Sequence, residues 1–551
     1  MKTTKKILIL FAVLVTKASF FYGQELKLEL KSLKKTDHLI LENIRYQKIH
    51  KNNTSVKKEL TKLSDHLKKQ GYFTNTIDSI LHLNANRIAF FSLGKKIKNV
   101  TLKTSNVAPR LVKKFKINND LLVLPIEKLD SFLENISKKL DAEGRSFSKV
   151  SLSSIKIEKE RLFATLEITA GKKREIHSIE VKGYPNFPKS FLKNYFRLDK
   201  DKDFNKKRMN EIYELTNKLQ FVAPLKKPEV LFTPDSTFLF IYLKKKASNS
   251  IDALLNFASE DNGEVFFNGN IDLELNNTLD YGEKFKLFWN KVDKDRQELQ
   301  VSSTIPHLFQ SNISPSLEFS LYRQDSSFVT SKFSTQFSYP LNSKHKISIS
   351  YSSEKSTSNS TNSAEIENYK NFFFGINYKY QTIFKNAGKS KLNFSVSSEF
   401  GQRQTLDATK QTKYIGIIDY TYIFNNRATL FLSNTTGYLN SKNYLFNELF
   451  RIGGVNTLRG FNEQSLFTDR YSFVNLEYRY KTNKTSYVYT ITDAGVFRRD
   501  FKQHTALGLG LGYLYQTKNF QINLGLATGT LNDEKINFRN TKLLLSWKNY
   551  F

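Results

Sequence analysis

The chain has 551 residues, 39% hydrophobic and 25% charged, with a net charge of +33 and no cysteine. That excludes a disulfide framework, thiolate metal sites, a cysteine nucleophile and a lipid-anchored N-terminal cysteine, and eight scattered histidines argue against a histidine-built metal centre. The basic excess is uneven: 51 Lys and Arg stand against 25 Asp and Glu before residue 247, and 34 against 27 after it. A basic surface of this kind suits anionic lipid, acidic partners or nucleic acid, or is simply a solvated lysine-rich face.

At the N-terminus, Lys2, Lys5 and Lys6 precede the apolar run Ile7–Val15, and a small residue follows at Gly23. A basic start, a short apolar centre and a small residue read as a secretory signal peptide over residues 1–23. Nine apolar residues are far short of the roughly 20 that a membrane-spanning helix needs. Export also removes nucleic acid from the expected partners.

Residues 24–246 carry three helix-like units: Val56–Phe73 with Leu60, Leu63 and Leu67 on one face, Ile126–Phe147 with Leu129, Phe132, Leu133, Ile136 and Leu140, and Asn205–Val222 with Met209, Ile212, Leu215 and Leu219. Gly71 and Gly144 stand where helices stop. Alternating strand pairs follow each helix, among them Ser153–Ile157 with Leu162–Ile168 and Glu229–Phe232 with Thr237–Leu243. New units open with the strands Asn99–Lys103 and His177–Lys182. Recurrence at about 75 residues predicts three tandem α+β modules, 24–97, 98–175 and 176–246. The run Lys244-Lys245-Lys246 marks a junction, reading either as a membrane-surface contact or as a solvated linker.

From 247 to 551 helical periodicity gives way to alternation with period two. Phe285, Leu287 and Trp289 alternate with Lys284, Lys286 and Phe288; Ile347, Ile349 and Tyr351 with Lys346, Ser348 and Ser350; Leu392, Phe394 and Val396 with Asn393, Ser395 and Ser397. Export, many segments near ten residues and aromatics at strand ends favour an all-β transmembrane barrel over a soluble sandwich. Eleven segments before residue 445 and five after it predict sixteen antiparallel strands.

The run Phe450–Asn462 (FRIGGVNTLRGFN), then Phe473–Arg479 (FVNLEYR), Asp493-Ala494-Gly495 and a chain ending SWKNYF resemble the outer-membrane insertase and translocase superfamily. Its members include BamA, TamA and the two-partner secretion transporters, whose modules are called POTRA domains and whose barrels are of the bacterial surface antigen type. The resemblance covers nearly the whole chain after residue 23. Leu458-Arg459-Gly460-Phe461 matches the superfamily's loop motif, and the terminal aromatic matches its assembly signal.

Parity gives this motif a physical reading. Asn475, Glu477 and Arg479 share one face of their strand and Val474, Leu476 and Tyr478 the other, so Glu477 should face the lumen; Asp493 shares parity with Gly495 on the next strand. Two inward carboxylates need a cation, and the resemblance offers Arg459, whose planar fork engages two acceptors. Gly460 would allow a tight turn and Phe461 would wedge the loop tip against the wall. At the C-terminus Leu543, Leu545, Trp547 and Phe551 fall on one parity, expected to face lipid. Gly508-Leu509-Gly510-Leu511-Gly512 lacks a following helix, so it reads as a small-residue strand face rather than a phosphate loop.

The resemblance implies a bacterial outer-membrane location with periplasmic modules. It also implies unfolded outer-membrane protein clients, accessory periplasmic or lipoprotein subunits, contact with outer-membrane lipid, and no enzymatic chemistry or cofactor. Clients would add as strands to module sheets and template at a weak seam between Ile251–Phe257 and Leu543–Phe551. The leading expectation is assembly or insertion of other outer-membrane proteins. The rival is a two-partner secretion transporter for a dedicated partner, ahead of a passive channel or surface-binding barrel.

Overall fold

The computed structural model describes residues 25–551 apart from 106, 116, 118–119, 159, 198–201, 260–264, 292–295, 326, 359–365, 383–389 and 533. The expected signal peptide lies outside the described residues. Residues up to Arg174 form one compact unit and residues from Glu175 another.

The first unit holds two sheets of one topology. In the first, Leu26–Lys31 runs parallel to Asn86–Ser92, flanked by Ile49–His50 and Thr76–Leu83. In the second, Asn99–Lys103 runs parallel to Arg161–Thr169, flanked by Leu121–Pro125 and Lys149–Glu158. Alternation explains both cores. Leu28, Phe91, Leu60 and Leu67 close the first, and Val100, Leu102, Leu162, Ile136 and Leu140 lie buried in the second.

The helices begin and end where local chemistry dictates. The first expected helix spans Asn53–Lys69, capped by Asn52 Oδ1 accepting from Ser55 N at 2.9 Å. It stops before Gly71, whose φ is +102°. The second is a short 3₁₀ turn, Ile126–Lys128, then Leu129–Ala142. The third is Lys206–Lys218, capped by Asn205, so the expectation that it reaches Val222 is corrected. Its apolar run continues because Leu219, Phe221 and Val222 fill the same core after the chain has turned into the strand Val222–Pro224. Two helices absent from the expectation, Lys35–Glu42 and Pro109–Phe115, are short and carry weak periodicity.

The second unit opens with a third such sheet: Ser178–Lys182 parallel to Thr237–Lys245, with Glu229–Phe232 and Val222–Pro224 antiparallel. Among the described residues, sixteen strands then close one antiparallel barrel. They are β1 Ser250–Ser259, β2 Val265–Asn276, β3 Lys284–Lys291, β4 Arg296–Thr304, β5 Ser314–Gln324, β6 Phe328–Pro340, β7 His345–Ser358 and β8 Tyr369–Gln381. The closing half is β9 Ser390–Gln404, β10 Ala408–Ile423, β11 Ala428–Ser441, β12 Arg470–Lys481, β13 Ser486–Arg499, β14 Lys502–Gln516, β15 Phe520–Leu531 and β16 Lys542–Tyr550. Among the described residues no helix is long and apolar enough to cross a membrane, which says nothing of a β-barrel.

The third sheet is fastened to turns at the near end of the barrel. Tyr184 Oη donates to Asp280 Oδ1 at 2.9 Å and accepts from Asn277 Nδ2 at 2.8 Å. Burial, with the Asp280 carboxylate beside it, pushes the Tyr184 hydroxyl up to about 12. Asn194 Nδ2 donates to Gln310 O at 2.7 Å, and Arg197 Nη1 to Leu341 O at 2.8 Å. Phe191 meets the His307 ring edge-on, 5.2 Å between centroids, and a Cβ at Gly282 would lie 2.1 Å from the Phe191 ring. Burial holds His307 down at about 4, so its ring is neutral at ordinary pH.

Candidate functional site

A long loop, residues 442–469, joins β11 to β12. Its limbs pair as a small ribbon, Phe450–Ile452 against Leu466–Thr468. Leu458 is wholly buried with Ile452, Leu466, Phe473 and Phe497, an apolar cluster that seats the loop against the inner wall.

That seat delivers Arg459 to two carboxylates. Its backbone N–H and its Nε each donate to Asp493 Oδ2 at 2.8 Å, and Nη2 donates to Asp493 Oδ1 at 2.6 Å. Nη1 donates to Glu477 Oε1. Asp493 on β13 is 0% exposed and Arg459 7%. The arrangement is a bidentate fork plus a main-chain bond, a geometry that a lysine could not reproduce. Glu477 on β12 carries a second cation: Arg479 Nε donates to Glu477 Oε2 at 2.7 Å. Two guanidinium groups therefore balance two carboxylates. Sequence reasoning placed Arg479 on the Glu477 face but gave it no role. Their separation of two residues on one strand was the available signal.

Gly460 has φ +95°, and a Cβ there would stand 2.5 Å from the Thr528 carbonyl carbon, so the tip can press against β15 only as glycine. Phe461 lies over Gly529, its ring 2.8 Å from where a Cβ would be. The glycine series of β14 has a matching explanation. A Cβ at Gly508 would lie 2.2 Å from Arg459 O, and one at Gly512 would lie 2.1 Å from the Tyr489 ring. The missing side chains are the space the loop and Tyr489 occupy.

The far end of the lumen holds a group that the sequence did not flag. Arg403 on β9 and Gln411 on β10 both donate to Glu448 at the start of the loop. On the opposite side Arg296 Nη1 donates to Glu463 O at 2.8 Å, and Gln464 Nε2 to Glu298 Oε2 at 2.6 Å. The loop thus touches β4, β9, β10, β12, β13, β14 and β15.

The barrel closes between β1 and β16, where the paired residues are Ser250 with Tyr550 and Ile251 with Asn549. Elsewhere ladders are long; that of β13 and β14 runs from Ser486–Tyr515 to Arg499–Lys502. Two side-chain contacts supplement the seam: Ser546 Oγ donates to Asp252 Oδ2 at 2.8 Å, and Lys548 Nζ lies 3.5 Å from Asp272 Oδ2. Leu543, Leu545, Trp547 and Phe551 are all exposed while Leu544 between them is buried, which puts the first set on the outer surface. Lys244, Lys245 and Lys246 are exposed at the end of the third sheet, just before β1.

Residues 310–515 match the family described as haemolysin secretion/activation protein ShlB/FhaC/HecB. No curated protein matches the sequence. Among solved structures, CdiB from Acinetobacter baumannii superposes with a TM-score of 0.53 at 15% identity, over 90% of this chain and 98% of that one. CdiB from Escherichia coli gives 0.53 at 13% identity with the same coverage. BamA from Haemophilus ducreyi lacking POTRA domains 1-3 gives 0.43 at 13% identity, over 81% of this chain and 98% of that one. The CdiB likenesses are of fold. The family match runs from the turn before β5 to β14, and with the closed sixteen-strand wall and the α/β modules ahead of it the chain is similar to the bacterial outer-membrane protein insertase and translocase superfamily.

Proposed function

We propose that this protein exports a partner polypeptide across the outer membrane, in the manner of two-partner secretion, and that it does so without enzymatic chemistry or a cofactor. The modules stand in the periplasm and receive the unfolded partner. The lumen is its path, and the long loop is the element that must yield. The match of residues 310–515 to the secretion/activation family carries this reading, because the matched stretch contains the loop and the three residues that fasten it.

A second reading, insertion of other outer-membrane proteins, is favoured by the seam. Among the described residues two paired positions join β1 to β16, and the rest of each strand offers an edge that a client strand could join. The paired positions supply a discriminating test in a chain without cysteine. Residues facing each other in an antiparallel pair stand about 4.5–5.5 Å apart, within reach of a disulfide. Ile251→Cys with Asn549→Cys should therefore cross-link on oxidation. Under the export reading the locked barrel still secretes its partner, and deletion of the gene removes one extracellular protein. Loss of function on locking, reversed by reduction, together with broad depletion of outer-membrane proteins, would establish insertion instead.

A further inference from the structure

The loop carries a second ion pair, apart from the Arg459 motif and bonded to different strands. Arg403 and Glu448 side chains are 1% and 2% exposed, making this the more deeply buried of the two pairs. Arg403 Nη2 also donates to Asn443 Oδ1 at 2.6 Å, and Gln411 Nε2 to Glu448 Oε2 at 2.9 Å. Glu448 Oε1 further accepts from Leu445 N at 3.0 Å, tying the limb to itself. Next to it, Asn447 Nδ2 donates to Ser356 Oγ at 2.8 Å on β7. Arg403 and Gln411 sit at the ends of β9 and β10 farthest from the modules, so this cluster lies at the rim. Asp493, in contrast, lies midway along β13. One end of the loop is held at the rim and the other at mid-lumen, by independent charges.

Burying a guanidinium and a carboxylate costs several kcal/mol that their attraction scarcely recovers, so such a pair is a weak stabiliser, and its best-attested use is to fix one arrangement among several. We propose that Arg403–Glu448 is a rim clasp. It holds the limb Asn443–Leu449 across the far end of the lumen, and its release opens the exit while Arg459 keeps the ribbon in place. Arg403 and Glu448 are on this account positioning residues for export, and the proposal rests on the lumen being the export path.

The test uses the full-length protein in planar bilayers, with a thiol reporter. Arg403→Ala and Glu448→Gln should each raise the time-averaged conductance severalfold, and because the released limb can carry its polar groups out to water at the rim, each should lower the temperature at which the barrel loses its heat-modifiable mobility less than Arg459→Ala does. A single cysteine at Leu445, a buried position, should react with a maleimide at least about tenfold faster in the Glu448→Gln background. The Arg403→Ala/Arg459→Ala double variant should conduct more than either single variant. Wild-type conductance and labelling in both clasp variants, with export intact, would overturn the clasp and leave the export reading standing. An opened lumen in a protein whose deletion removes no extracellular protein would support the clasp and overturn export.

Discussion

The barrel is closed in two places by opposite means. The loop is fastened to the wall by charge: Arg459 alone makes four hydrogen bonds to Asp493 and Glu477, and Arg403 on β9 adds another to Glu448. The wall is fastened to itself at the seam by two paired residues a side, a main-chain bond from Phe551 N to Asn249 O, one hydroxyl–carboxylate bond and one lysine near Asp272. Buried charge networks fail abruptly when one member is lost, whereas a short ladder loosens in small steps of roughly 0.5–1.5 kcal/mol per bond. The lumen is thus built to be either shut or open, and the seam to breathe.

The largest effect should come from breaking the charged fastening. Arg459→Ala leaves Glu477 and Asp493 uncompensated in a buried setting, at a cost on the order of 3–5 kcal/mol, less where lumen water reaches them. Heat-modifiability should fall and export should be lost, while limited proteolysis still yields the folded modules, which have cores of their own. Unchanged barrel stability would show that the loop is held by its apolar seat instead. Gly508→Ala attacks the same contact from the wall. Its Cβ would stand 2.2 Å from Arg459 O, so the loop must shift, costing about 1–3 kcal/mol. It should raise loop accessibility without altering seam cross-linking of Ile251→Cys/Asn549→Cys.

Much of this contrast was legible beforehand. Strand alternation located the barrel strands, because a wall between lipid and lumen enforces period two along its length. Parity brought Glu477 and Asp493 to one side, and the resemblance to a superfamily supplied their cation. Strand-edge arithmetic could not find Arg403: it sits one residue from the end of β9, where an arginine is ordinarily solvated, and its partner lies 45 residues away in a loop. The docking of the third module was hidden for the same reason, since Tyr184 and Asp280 are 96 residues apart and neither stands out. Seam register was also out of reach. Pattern sets which face a residue takes, and register needs the actual ladder.

A third fastening, between module and barrel, titrates in a way neither closure should. His307 is buried against Phe191 and Tyr195 with its folded value held at about 4. Above about pH 6.5 the ring is neutral in folded and unfolded chains and contributes no pH dependence. Below that, the unfolded ring takes up a proton that the buried one refuses until about pH 4, so stability falls as pH drops through this window and levels off beneath it. Thermal unfolding of the third module from pH 7.5 to 4 should show the decline, on the order of 1–3 kcal/mol in total, and His307→Gln should flatten it. A slope unchanged by that substitution would place the acid sensitivity elsewhere.

The smallest effect is expected where the seam ends. Phe551 N donates to Asn249 O at 3.0 Å, one residue beyond the Ser250–Tyr550 pair, and its ring lies exposed on the outer surface. Deleting Phe551 removes one backbone hydrogen bond and an aromatic suited to the membrane interface, together about 1 kcal/mol. The seam is a short ladder, so this loss should be felt there and not at the loop. The yield of the Ile251→Cys/Asn549→Cys cross-link should fall modestly, as should the amount of folded barrel in the membrane. Reactivity of a cysteine at Leu445 should not change. If the deletion instead released the loop, the two closures would be coupled through β16 and the contrast between them would fail.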